Sequence, residues 1–222
     1  MLRDISHRGN VIHKYKENTL DAIKTSLNED YVEGAEFDVR ITKNKKVIVY
    51  HDSIIISHSK ITFIKDSDFD EIKALVPSIN TLNEILDNIN TYKKIVIELK
   101  EETKNYQELA DNVYSIISRY NYLNIYICSF NYNLINYFKN KYPDVKCGLL
   151  ISIFLNTDKI NNHFDFNSYI IIHLDEIKFN KEVMIWGVKT KRQEDRIKML
   201  AKIYNKYDID VITDKPINFK DS

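Results

Sequence analysis

The stretch Gly34 to Asp52, GAEFDVRITKNKKVIVYHD, concentrates groups that can do chemistry. Alternation places Glu36, Asp38 and Arg40 on one face of an extended run, and Ala35, Phe37, Val39 and Ile41 on the other. A second run, Val47 to His51, is β-branched and aromatic. The polar linker Lys43-Asn44-Lys45-Lys46 is too short for a parallel crossover, so the two runs are predicted to pair antiparallel. A turn centred between Asn44 and Lys45 sets residue 38 opposite residue 51. Two carboxylates and an imidazole then meet at one end of a hairpin, the materials of a metal site with a base beside it.

The elements that must position these groups come from a chain of ordinary globular composition. It has 222 residues, 44% apolar and 29% charged, which suits one large domain or two small ones. Lys+Arg and Asp+Glu balance at 32 each, so no global charge points to nucleic acid or an anionic membrane. Only four glycines and three prolines argue against linkers. Cys128 and Cys147 lack a C-x-x-C spacing and sit in apolar runs, as reduced core thiols do. No apolar run approaches the roughly 18 residues of a transmembrane segment, and no signal-peptide core follows Met1-Leu2-Arg3. A cytoplasmic location is the expectation.

In chain order, Leu2 to Ser6 reads as a strand ending in His7-Arg8-Gly9. Asn18 or Thr19 caps a helix burying Leu20, Ile23 and Leu27. After the hairpin and a polar, irregular stretch, a helix is predicted around Phe69 to Leu75, ended by Pro77. Thr81-Leu82-Asn83-Glu84 has the spacing of a capping box. Strands are predicted at 94–100 (KIVIELK), 124–130, 146–152, 169–173, 183–188 and 210–213, and helices over 106–120, 133–141 and about 193–207. With Gly34–Arg40 as one barrel strand and Val47–His51 as an antiparallel arm on it, eight strands alternate with helices. Several strands are near-continuous apolar runs, as expected when both faces are buried. The fold class is therefore α/β, a small TIM (β/α)8 barrel formed by residues 1–222 as a single domain, with a doubly wound sheet as the alternative. The segments 152–168 and 174–182 offer little helical pattern, so the outer helical ring should be incomplete there.

Catalytic groups of a TIM barrel sit at the C-terminal ends of its strands. Those ends carry His7 and Arg8, Glu36 and Asp38, Glu98 and Lys100, Ser129, Trp186 and Asp214, with His51 contributed by the arm. An inward carboxylate in a central strand must be paired or bound to a cation. Lys100, on the same face as Glu98, is either its salt-bridge partner or a phosphate-binding cation. Trp186 reads first as a packed aromatic. Three carboxylates without a thiolate suit a hard divalent cation, Ca²⁺ or Mg²⁺. Two histidines beside it can divide general acid and general base roles, and Arg8 and Lys100 supply positive charge for a phosphate. The set points to cleavage of a phosphate ester by in-line displacement.

These residues resemble the glycerophosphodiester phosphodiesterase family over nearly the whole chain. The marks are His7-Arg8-Gly9, Glu17-Asn18-Thr19, Glu36-Phe37-Asp38-Val39-Arg40, Val49-Tyr50-His51-Asp52, Glu98-Leu99-Lys100, Ser129-Phe130, Trp186 and Thr213-Asp214-x-Pro216. The resemblance implies a TIM barrel, one divalent cation, and hydrolysis of a glycerophosphodiester to glycerol 3-phosphate and an alcohol. It implies Glu36, Asp38 and Glu98 as metal ligands and Glu17 near the metal. His7 and His51 match the acid/base pair, and Arg8 and Lys100 match phosphate-contacting positions. Ser129 and Trp186 fall in the substrate pocket. The chain departs from the family in Lys16, in the hairpin tip without glycine (which calls for a left-handed Asn44), in the segment 53–80 and in Gly187-Val188-Lys189 after Trp186. The last three lie around the alcohol- or glycerol-binding part of the pocket. A lysophospholipase D-like or phosphodiester-polymer substrate is therefore one alternative, and a non-catalytic phosphate-ligand binding barrel is another.

Overall fold

The computed structural model describes residues 2–10, 15–57, 60–100, 106–152, 163–177, 182–205 and 209–216. The chain enters through β1 (Leu2–Ser6), turns once in a 3-10 helix at His7–Gly9, and continues into α1 (Leu20–Asn28). Thr19 caps α1, its hydroxyl accepting from the Ala22 amide and so satisfying one otherwise orphaned donor. β2 (Gly34–Ile41), β3 (Val47–Val49), β4 (Ile54–Ser57) and β5 (Lys60–Phe63) follow. Then come α2 (Phe69–Leu75), β6 (Asn80–Thr81) and α3 (Leu82–Asp87), the last opened by a capping box of Thr81 and Glu84. The remaining elements are β7 (Lys94–Leu99), α4 (Tyr106–Ile117), β8 (Asn124–Ser129), α5 (Tyr132–Lys141) and β9 (Lys146–Ile151). They are completed by β10 (Phe166–Ile170), β11 (Glu182–Trp186), α6 (Lys191–Ile203) and β12 (Ile209–Thr213).

Eight of these strands are mutually parallel, in the order β1, β12, β11, β10, β9, β8, β7, β2, and pairing of β1 with β2 closes the ring. The result is the expected small TIM barrel. β3 adds to β2 antiparallel and β6 adds to β3, so the arm lies outside the barrel as expected. Among the described residues, the connection after β10 opens with a 3-10 turn at Ile171–Glu176 where other connections carry α-helices. The connection after β9 runs through residues 153–162, outside the described residues.

Four local expectations are corrected. The arm pairs Val39 with Val49, Arg40 with Ile48 and Ile41 with Val47, so its turn is centred on Asn44 and Tyr50, not His51, stands opposite Asp38. The Tyr50 amide donates to the Asp38 carbonyl at 3.0 Å. Lys45 rather than Asn44 takes the left-handed backbone (φ 63°), and Asn44 Oδ1 instead accepts from Thr42 Oγ1 and the Phe69 amide. The stretch after Asp52 holds the antiparallel hairpin of β4 and β5, which buries Ile55 against Ile48, Ile64 and Ile72. The strand expected at 169–173 lies at Phe166–Ile170, because the polar pair Asn167-Ser168 is buried inside the sheet rather than leading into it.

Alternation along each strand sorts the barrel interior into layers. The inward residues of β7 are Lys94, Val96 and Glu98; those of β12 are Asp210 and Ile212, with Asp214 just beyond; those of β11 are Glu182, Met184 and Trp186. The middle layer is apolar, with Ile5, Val96, Phe166, Met184 and Ile212 in contact. Phe166 lies opposite Gly148, where an added Cβ would meet its ring at 2.2 Å, so only glycine leaves room for the ring. At the N-terminal mouth, Lys94 Nζ bonds Glu182 and, at 2.5 Å, Asp210, and stands 4.3 Å from the Tyr126 ring centroid. Arg3 Nε adds a 2.7 Å bond to Asp210. This ionic plug seals the end of the barrel away from the site.

Removing one partner of a buried ion pair strands the other charge. Lys94→Met should therefore destabilise the protein by about 3 kcal/mol or more in urea unfolding at pH 7; an unchanged midpoint would show that the plug is dispensable. Asp4, on the outer face of β1, has its pKa pushed up to about 7 by burial and by the Glu194 carboxylate of α6. A carboxyl raised on folding stabilises fully below its ordinary value of 3.8 and loses that contribution as pH rises through about 7. The melting-temperature gain of Asp4→Asn should accordingly grow from pH 5 to pH 8, and a gain that shrinks over that range would reverse the assignment.

Candidate active site

Parallel pairing of β2 with β7 sets Asp38 beside Glu98 and Glu36 beside Val96, so the three inward carboxylates converge. One oxygen from each of Glu36, Asp38 and Glu98 lies within 4.8 Å of the other two, and all three residues are buried. Burial and mutual repulsion push the Glu36 and Glu98 carboxyls above the usual carboxylate range. Burial acts on Asp38 in the same direction, but the Lys100 ammonium and the Asn18 amide outweigh it and hold Asp38 low. Glu36 Oε1 has no hydrogen-bond partner among the described residues. An unsatisfied buried oxygen within a cluster of three carboxylates is a donor set that fits a hard divalent cation.

Cationic groups surround this cluster. Lys100 Nζ bridges Glu98 Oε1 at 2.7 Å and Asp38 Oδ1 at 3.3 Å. The Arg8 amide donates to Glu36 Oε2 at 3.0 Å, Arg8 Nε stands 3.5 Å from Asp38 Oδ2, and Arg8 Nη1 donates to Glu17 Oε1 at 2.6 Å. Glu17, expected near the metal, thus reaches the cluster only through Arg8 and is not one of the converging carboxylates. Arg8 adopts a left-handed backbone (φ 53°), a conformation worth about 1 kcal/mol or more of strain for a side-chain-bearing residue. Two bonds hold it there: its amide to Glu36, and its carbonyl accepting from the Asn18 amide at 2.9 Å.

The two histidines stand on the pocket wall, each with a carboxylate at Nδ1. His7 Nδ1 lies 2.5 Å from Asp214 Oδ1, and its Nε2 lies 3.9 Å from Glu36 Oε2. Burial alone would lower the His7 pKa; the Asp214 hydrogen bond and the Glu36 charge reverse that and raise it. His51 Nδ1 lies 2.7 Å from Asp52 Oδ1. Arg40 fixes the arm to the barrel, donating from Nε to the His51 carbonyl at 2.8 Å and from Nη1 to the Lys100 carbonyl at 3.2 Å.

The pocket itself holds about 160 Å³. His7, Arg8, Glu36, His51, Glu98 and Lys100 line one side, and Cys128, Phe130, Leu150, Trp186 and Ile212 the other. Trp186 meets Phe130 edge to face with ring centroids 5.4 Å apart, so the expected pocket tryptophan is in place. Ser129 is not. Its side chain points out of the barrel, where the hydroxyl donates to the Leu99 carbonyl at 2.8 Å and accepts from the Asn131 amide. Its neighbour Phe130, the first residue past β8, is the lining residue and faces the other way.

Three residues without an assigned role in the sequence reading help build the site. Asn18, read there as a helix-cap candidate and as part of the Glu17-Asn18-Thr19 mark, grips Asp38 twice: Nδ2 donates to Asp38 Oδ2 at 2.9 Å, and Oδ1 accepts from the Asp38 amide at 3.0 Å. It does so from a left-handed backbone (φ 57°), which asparagine tolerates better than most residues. Arg40 and Asp214 are the others. The tolerance of Asn for positive φ, just before the capping Thr19, is the signal that could have singled out Asn18.

Asn18→Ala should lower stability by about 2 kcal/mol or more, since it strands two buried groups of Asp38 and places a Cβ-only residue at positive φ. Asn18→Gly should recover only the smaller, conformational share. Equal unfolding midpoints for Asn18→Ala and the parent would show that the grip contributes nothing.

Residues 7–167 match the Glycerophosphoryl diester phosphodiesterase family. A glycerophosphodiester phosphodiesterase of Caldanaerobacter subterraneus is 31% identical over 160 residues, spanning 66% of this chain and 65% of the relative's own length. Among solved structures, a glycerophosphodiester phosphodiesterase of Thermotoga maritima superimposes with a TM-score of 0.78 at 25% identity, covering 99% of this chain and 97% of that one. A phosphodiesterase of Oleispira antarctica, solved in complex with the product sn-glycerol-3-phosphate, shares the fold with a TM-score of 0.82 at 18% identity, over 98% of this chain and 95% of its own. With its sequence matched over the segment that carries the carboxylates, both histidines and both cations, the chain belongs to the glycerophosphoryl diester phosphodiesterase family.

Proposed function

We propose that the protein is a metal-dependent hydrolase that cleaves a glycerophosphodiester to glycerol 3-phosphate and an alcohol. The observation that carries this reading is the buried, incompletely satisfied carboxylate cluster of Glu36, Asp38 and Glu98, facing a pocket that also presents two carboxylate-backed histidines and two cations. The three carboxylates would hold one divalent cation, Ca²⁺ or Mg²⁺ by the hardness of its oxygen donors. When bound, it would polarise the phosphoryl oxygens and offset charge that develops on them. Arg8 and Lys100 would draw the phosphate to the same wall of the pocket and orient it. One histidine accepts the proton of the attacking oxygen as the new P–O bond forms, and the other donates a proton to the alkoxide as the old P–O bond breaks. With water as nucleophile the products are glycerol 3-phosphate and the alcohol; with the substrate's own hydroxyl, a cyclic phosphate forms first. The family membership and the product bound by the Oleispira relative support glycerol 3-phosphate as the product class.

The apolar half of the pocket favours a second reading within the same chemistry. Phe130, Leu150, Trp186 and Ile212 suit a less polar substrate, such as the acylated glycerol that stays on the phosphate in a lysophospholipase D-like reaction; a phosphodiester polymer is a further alternative. Among the described residues no helix is long and apolar enough to cross a membrane. The two buried, unpaired thiols Cys128 and Cys147 suit a reducing compartment such as the cytoplasm, with the whole chain acting as one domain.

Glycerophosphocholine, glycerophosphoethanolamine, glycerophosphoglycerol and a lysophospholipid should be compared in one assay following glycerol 3-phosphate or its acylated form. Turnover should vanish with chelator and return with Ca²⁺, Mg²⁺ or Mn²⁺. His51→Ala should slow it by about 10²-fold or more while leaving the fold intact by circular dichroism. No turnover of any phosphodiester with any of the three metals would overturn the proposal.

A further inference from the structure

Asp214 lies one residue past β12, and its carboxylate meets His7 across the seam where the barrel closes. The simplest account of such a contact is structural, a clasp between the first and last strands. That account is weak here. The seam already pairs Leu2 with Ile209, Arg3 with Asp210, Asp4 with Val211, Ile5 with Ile212 and Ser6 with Thr213 in continuous parallel register. Arg3 and Asp210 add an ion pair at its buried end. The Asp214 side chain is half exposed, at 52%, and exposed ion pairs contribute about 1 kcal/mol at most. What the contact does control is a single atom. With Asp214 Oδ1 at 2.5 Å, Nδ1 of His7 is held as the protonated, donating nitrogen, which leaves Nε2 as the ring atom turned toward Glu36 and the pocket.

We infer that Asp214 is the positioning residue of His7, fixing its ring orientation and its Nδ1–H tautomer from the last strand of the barrel. The assignment rests on the phosphodiesterase reading only in taking His7 as one of the two proton-handling groups. It is distinct from the parallel contact at His51, whose partner Asp52 is its neighbour in the chain and needs no barrel closure. In the mechanism the Nδ1 proton stays on the ring, and only Nε2 gains or loses a proton toward the reacting oxygens.

The test reads the tautomer and the kinetics separately. Long-range ¹H–¹⁵N correlation spectra of the full-length protein, with His7 assigned through His7→Gln, should show Nδ1 protonated in the parent. In Asp214→Asn the Nε2–H form should appear, because an amide can donate to Nδ1 instead of accepting from it. The same variant should lose about 10²-fold or more in kcat with KM changed by less than about threefold, since Arg8 and Lys100 are untouched. Asp214→Glu, which keeps the charge, should retain the Nδ1–H form and most of kcat. An unchanged tautomer in Asp214→Asn, or a changed tautomer with parental kcat, would overturn the inference. A parent without phosphodiesterase activity would defeat the proposed function instead, and the spectra would still decide whether Asp214 orients His7.

Discussion

Three carboxylates confined within 4.8 Å in a buried site repel one another, and most of the polar architecture at the barrel mouth compensates for that repulsion. Lys100 bridges two of them, the Arg8 amide reaches the third, and Asn18 saturates Asp38 from both sides. Two residues accept left-handed backbone to do this, and each is locked by hydrogen bonds to the group it serves. The strain and the desolvation are tolerated because the cluster sits on β2 and β7, adjacent strands of a rigid ring rather than loops. Functional sites commonly hold such locally unfavourable arrangements, which the surrounding fold over-determines.

The opposite mouth solves the same electrostatic problem with a different result. There Lys94 and Arg3 neutralise Glu182 and Asp210, so both signs are present and the plug is closed. At the upper mouth the carboxylates of the cluster outnumber the cations that reach them, and Glu36 Oε1 has no hydrogen-bond partner among the described residues. An apolar layer about one side chain thick separates the two. The barrel is thereby polarised along its axis into a satisfied end and an unsatisfied one.

Much of this was legible in the sequence because strand periodicity is a local property. Glu36, Asp38 and Glu98 announce themselves as polar residues at inward positions of otherwise apolar runs, and Thr81-x-x-Glu84 announces a helix start. What escaped depended on pieces meeting in space or on small energy differences. The hairpin turn slid by one residue because Lys45 takes positive φ while the Asn44 side chain is occupied by Thr42 and Phe69. In the hairpin of β4 and β5, β4 is a run of three isoleucines without alternation, and the alternation of β5 marks no buried face, since Ile56, Ile61 and Phe63 remain exposed at 70%, 55% and 50%. Lys94 read as the polar start of a strand, and only closure of the barrel reveals the acids it meets. Ser129 was displaced from the pocket by the simplest rule of all, since adjacent strand residues face opposite ways.

The two walls of the pocket have different addresses in the chain. Every carboxylate, imidazole and cationic side chain of the lining, from His7 to Lys100, is contributed by the first hundred residues, whereas Cys128, Phe130, Leu150, Trp186 and Ile212 all come later. On the proposed function, and apart from Asp214, the first half of the polypeptide would carry the reaction and the second half would shape what may enter. Substitutions in the later strands would then retune substrate preference during evolution without disturbing any of the carboxylates, imidazoles or cations, and a lineage could exchange one substrate for another while its chemistry is inherited intact.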